Sequence, residues 1–135
     1  MSNRPSPAAV KTFSMVNGLT LLGVLLQAVW AGLFIDRAER EPWVTVHEIG
    51  GFVVVVLSLV TALLAIALLR RADPALTFAA VGLFVLLVIQ TGLGEGISKA
   101  GSQELLVSHV PLAMLIFGLG VYLSVAGARL RRAMS

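Results

Sequence analysis

The chain alternates between long stretches without a charged side chain and short connections dense in charge. The four uncharged stretches are 12–35 (24 residues), 49–69 (21), 74–94 (21) and 105–128 (24). Crossing the hydrocarbon core of a bilayer takes about 20 apolar residues at about 1.5 Å of rise each. All four are long enough. In lipid a segment must satisfy its own backbone hydrogen bonds, so each is read as a helix. The first exceeds the about 7–15 residues of a signal-peptide core and is kept as a span. With their polar ends included, the spans are placed at 12–35, 47–69, 74–96 and 105–128. The connections are too short for another domain. The pattern predicts an all-α integral membrane protein, an antiparallel four-helix bundle forming a single domain over 1–135.

Composition agrees. Of 135 residues, 58% are hydrophobic and 13% charged, against about 45–50% and about 25% in soluble domains. This excludes a disordered chain and argues against a water-soluble globule. Without cysteine there is no disulfide, iron–sulfur cluster, thiol nucleophile or c-type haem attachment. The net charge of +3 would suit nucleic acid only if the cations shared a face. Instead they sort by connection. Arg4, Lys11, Arg70, Arg71, Arg129, Arg131 and Arg132 fall on one side. Arg37, Arg40 and Lys99 fall on the other, with Asp36, Glu39, Glu41, Glu48, Glu95 and Glu104. Basic residues mark the cytoplasmic side, so both termini are expected there, in a bacterial cytoplasmic membrane. Trp30 and Trp43 flank the first outward connection, where indole rings favour the interface. The final arginines read first as a stop signal for the last span, and second as a contact for anionic lipid head groups.

The uncharged stretches also carry an internal repeat. Gln27 near the end of the first span is followed 20 residues later by His47. Gln90 near the end of the third is followed 19 later by His109. The chain thus reads as two similar helical hairpins, each with one Gln and one His. Counting helical rise, His47 stands ~34 Å from Arg70 and His109 ~30 Å from Arg129. Both histidines therefore sit in the outward half. Spans two and four run parallel and can lie diagonally across an up-down-up-down bundle, which would bring the imidazoles face to face.

Two neutral imidazoles so placed suit the axial positions of a single haem b iron. One turn beyond each polar residue is a small one: Ala31 after Gln27, Gly51 after His47, Gly94 after Gln90 and Ala113 after His109. These would leave room for a flat ligand, as would Gly50, Gly92 and Gly96. The candidate cofactor-binding set is therefore His47, His109, Gly51, Ala113, Gln27 and Gln90, with His47 and His109 on the iron. Alternatively the histidines are interfacial residues, and the small residues serve helix packing. For Gln27 and Gln90, hydrogen bonding between helices is the favoured role. Met114 is an imperfect alternative ligand, off the His109 face. Glu48 points about 100° from His47 and could pair with Lys99 or Arg40. Gly92 to Gly96 lacks the strand and lysine of a phosphate loop. Pro111 marks either a first turn or a kink.

The segments His47-Glu-Ile-Gly-Gly-Phe, Leu87-Val-Ile-Gln-Thr-Gly-Leu-Gly and Ser108-His-Val-Pro-Leu-Ala-Met-Leu-Ile-Phe-Gly carry two resemblances. From Gln27 to the last arginines the chain resembles a family of small four-span bacterial membrane proteins without an assigned function. More distantly it is similar to one four-helix half of the haem A synthases, which place haem-ligating histidines on the second and fourth helices. That similarity implies a haem-binding bundle with His47 and His109 as axial ligands. The departures matter. This chain has one half where those enzymes have two, Val44 stands where they have an acidic residue, and their loop cysteines are missing. The resemblance carries the binding scaffold and not the oxidation chemistry.

Two functions follow as expectations. One is a b-type haem protein for electron transfer, haem sensing or haem handling, limited by its two histidines to one bis-histidine haem. The other is a structural or accessory membrane subunit whose His/Gln belt only packs the helices. A small permease ranks below both, because Glu48 lies near the surface. No Ser–His–Asp or paired-carboxylate set assembles in the spans, so stand-alone catalysis is not expected. The expected partners are the lipid bilayer and either a second copy or a membrane redox partner, with no nucleic acid.

Overall fold

The computed structural model describes residues 5–36 and 38–134. Arg4 and Arg37, counted above in the charge sorting, lie outside the described residues, as does the side chain of Asp36. Four helices run α1 (Pro7–Asp36), α2 (Glu41–Leu64), α3 (Pro74–Ala100) and α4 (Leu106–Arg132). A π-helical turn, Ala65–Leu69, prolongs α2, and a 3-10 turn, Gln103–Leu105, leads into α4. All four helices are long and apolar enough to cross a membrane, and the protein is a multi-pass membrane protein. The helices outrun the uncharged stretches, because a helix needs apolar side chains only at bilayer depth. Lys11, Glu48, Glu95 and Lys99 are all helical.

Local chemistry sets the ends. Pro42 and Pro74 occupy first-turn positions, where a missing N–H removes nothing from the helix. The Asp73 carboxylate accepts from the Leu76 N–H at 2.9 Å, an N-cap for α3. The π turn ends in a tight reversal in which Leu69 O accepts from the N–H groups of Ala72 and Asp73. Thr77 Oγ1 reaches back from α3 to Ala65 O at 3.3 Å. α3 stops at Gly101, whose φ of 71° is left-handed, and the N–H groups of Gly101 and Ser102 close on Gly96 O. Ser102 precedes the 3-10 turn but makes no side-chain cap. Pro111 lies inside α4, so it does not mark a first turn. We expect Gly101→Ala to lower unfolding stability by about 1 kcal/mol, read as a shift in the detergent melt followed by circular dichroism.

Each helix packs on two others in the cyclic order α1–α2–α3–α4, and among the described residues no Cα pair within 8 Å links α1 to α3 or α2 to α4. The expected diagonal placement of spans two and four is therefore present. The core is uneven along the bundle axis. Val10 and Phe13 of α1, Leu69, Leu76, Leu83 and Leu123 are buried in the half nearer Arg70 and Arg129. Toward the other end, no described residue in 21–53 or 88–115 is buried. The histidines stand in this looser half.

Candidate functional site

His47 does not open its helix. α2 starts at Glu41, which sets the imidazole nearly two turns in, on the side facing α1. Its Nδ1 lies 3.1 Å from the backbone carbonyl oxygen of Gln27 and, once the Gln27 amide is oriented to satisfy its neighbours, 3.0 Å from the side-chain nitrogen. In that orientation Gln27 Nε2 donates to His47 O at 2.9 Å, and Oε1 accepts from the Gly51 N–H at 2.9 Å. Phe34 stands edge-on to the ring, centroids 5.4 Å apart at 78°. Either tautomer keeps Nδ1 on Gln27. Protonated, it donates to the carbonyl; unprotonated, it accepts from the amide. Only the first tautomer leaves an unprotonated Nε2, the state a metal ligand requires.

The second hairpin repeats the arrangement. Gln90 Nε2 donates to His109 O at 3.0 Å, the counterpart of the bond from Gln27 to His47 O. The His109 ring lies against Gly94, where an added Cβ would come 3.4 Å from Cε1. Two atoms here are buried without a hydrogen-bond partner among the described residues, His109 Nδ1 and Gln90 Oε1. The structure thus ties the backbone of each histidine to the Gln of its own hairpin.

The small residues act differently from a lining. A Cβ on Gly51 would meet the Gln27 amide at 3.7 Å, and one on Gly50 would collide with the Trp30 ring. Gly50 and Gly51 admit α1 side chains, and Gly94 admits the His109 ring. Ala31 and Ala113 are half-buried. Met114 is 72% exposed and turns away from the bundle. Lys99 pairs with Glu95 at 2.8 Å instead of Glu48, and Arg40 Nε donates to Phe34 O at 3.0 Å. The glycines from Gly92 to Gly96 are part of α3.

The donor set discriminates between kinds of metal site. No group of three His, Cys, Asp or Glu comes together among the described residues. A bare zinc ion takes three or four protein ligands. A haem brings its own equatorial nitrogens and asks the protein for one or two axial ligands, a number that two histidines can supply.

A second polar layer, unforeseen from sequence, lies toward the arginine-rich end. Asn17 on α1, 0% exposed, donates through Nδ2 to Ser124 Oγ at 2.8 Å and Gly120 O at 3.2 Å on α4. Thr20 and Thr61 hydroxyls meet at 3.3 Å between α1 and α2. The signal was spacing: Ser14, Asn17 and Thr20 recur every third residue, opposite Gly120, Ser124 and Gly127 on α4. Helices in lipid gain nothing from hydrophobic burial against each other, so such bonds and close packing hold them. Asn17→Ala is expected to cost about 1 kcal/mol, measured by unfolding in mixed micelles. No family model, characterised protein or solved structure matches the chain.

Proposed function

We propose that the protein is a b-type haem-binding protein of the bacterial cytoplasmic membrane, holding one haem between His47 and His109 in the outward half. On the positive-inside rule both termini are cytoplasmic. The observation that carries this reading is one imidazole on each of the diagonal helices α2 and α4, each residue held through its backbone carbonyl by the Gln of its own hairpin. The unpartnered Nδ1 of His109 also supports it. When bound, haem would supply reversible one-electron exchange. The Gln27 carbonyl would hold His47 with its proton on Nδ1, and the Gln27 and Gln90 amides would fix the backbone carrying each ring. Haem titrated into the detergent-purified protein should give a saturable 1:1 low-spin Soret spectrum. A protein that leaves the spectrum of free haem unchanged would overturn the proposal.

One observation favours a second reading, that of an accessory subunit without a cofactor. Both Gln side chains bond to a backbone carbonyl, which ties helices whether or not haem is present.

A further inference from the structure

A groove of about 690 Å³ runs along the outer face of α4, far from the histidines. Gly118, Val121, Tyr122 and Val125 form its length, Arg129 its end, and Asp73 at the start of α3 its far rim. From Gly118 to Arg129 it follows α4 for ~16 Å. Val121, Tyr122 and Val125 are exposed, so the apolar floor faces the hydrocarbon. Gly118 opens it, since an added Cβ there meets nothing within 4 Å.

We propose that this groove binds one anionic phospholipid, with an acyl chain along Gly118 to Val125 and the phosphate at Arg129. Depth and charge argue for this occupant together. The groove lies within a membrane-spanning helix, so its contents are apolar along most of its length. It ends where the uncharged run ends, at head-group level, among the bundle's densest cations. Arg131 and Arg132 share the last turn of α4, and Arg70 and Arg71 stand in the connection preceding Asp73. The Asp73 carboxylate is the opposing charge, and its Oδ1 is engaged by the first turn of α3. Basic recesses beside membrane helices capture acidic head groups in this way, at about a fivefold gain per cation near the surface. The inference stands independently of haem binding.

Native mass spectrometry of the detergent-purified protein with equal amounts of phosphatidylglycerol and phosphatidylcholine tests it. Phosphatidylglycerol adducts should predominate. Arg129→Gln should reduce them about fivefold without changing phosphatidylcholine, and Arg129→Lys should retain most of them. Gly118→Leu fills the groove and should remove adducts of both lipids, with helix content unchanged by circular dichroism. Arg40→Gln, at the opposite end, should have no effect. Equal retention of the two lipids, indifference to Arg129→Gln, or adducts that survive Gly118→Leu would each overturn the proposal. So would a lipid-free two-chain complex that Gly118→Leu dissociates, because the occupant would then be a second copy.

Discussion

Gly50→Leu is expected to destabilise the bundle by about 3 kcal/mol. A Cβ at this position would overlap the Trp30 ring and come within 2.5 Å of the Gln27 amide. Neither neighbour can simply swing aside. Trp30 is a rigid bicycle lying against Gly50 of α2, and the Gln27 amide is held by its bonds to His47 and Gly51. The two helices must part, and the bond from Gln27 to His47 O goes with them. Gly18 on α1 is the control, since a Cβ there meets nothing within 4 Å. Gly18→Leu should change stability by no more than about 0.5 kcal/mol. The comparison is a detergent melt followed by circular dichroism. Equal melting of the two variants would show that α1 and α2 do not approach as closely as described.

The second large effect separates ligand from tie. Each Gln amide bonds to the backbone carbonyl of its histidine, so removing the imidazole leaves that bond in place. His109→Ala and His47→Ala should therefore abolish the bis-histidine spectrum of haem-loaded protein while keeping most of its stability. Gln90→Leu should do the reverse, lowering stability by about 1 kcal/mol while the Soret band persists. If His109→Ala and Gln90→Leu leave the spectrum alike and lower stability alike, the belt is a helix tie and the accessory reading holds.

The spans and their diagonal order were legible because charge is excluded from hydrocarbon far more strictly than any other property. Their ends were not, because α1 begins before Lys11 and α3 runs on through Glu95 and Lys99, where the interface tolerates charge. The histidines stood out because their depth could be counted from the arginine at the far end of each span, and Gln27 and Gln90 because each precedes a histidine by 20 or 19 residues. Asn17, Thr20 and Thr61 stayed hidden inside runs scored only for the absence of charge. Nothing in a linear count says that Asn17 turns inward toward Gly120 while Gly18 turns out. Gly50 and Gly51 were read as space for a ligand. The space is taken by Trp30 and Gln27, a matter of side-chain packing between helices that spacing within one helix does not encode.

The two histidine ties also differ from the second polar layer in when they can form. They join residues 20 and 19 positions apart, within one hairpin. The Asn17–Ser124 bond spans 107 positions and the Thr20–Thr61 bond 41. During synthesis the first hairpin can fasten itself soon after His47 enters the membrane, and the second does so independently. Asn17 then waits, already inserted, for α4 to arrive. The histidine ties and the Thr20–Thr61 bond are thus local latches within a hairpin, and the Asn17–Ser124 bond is the late bolt that joins the two finished halves.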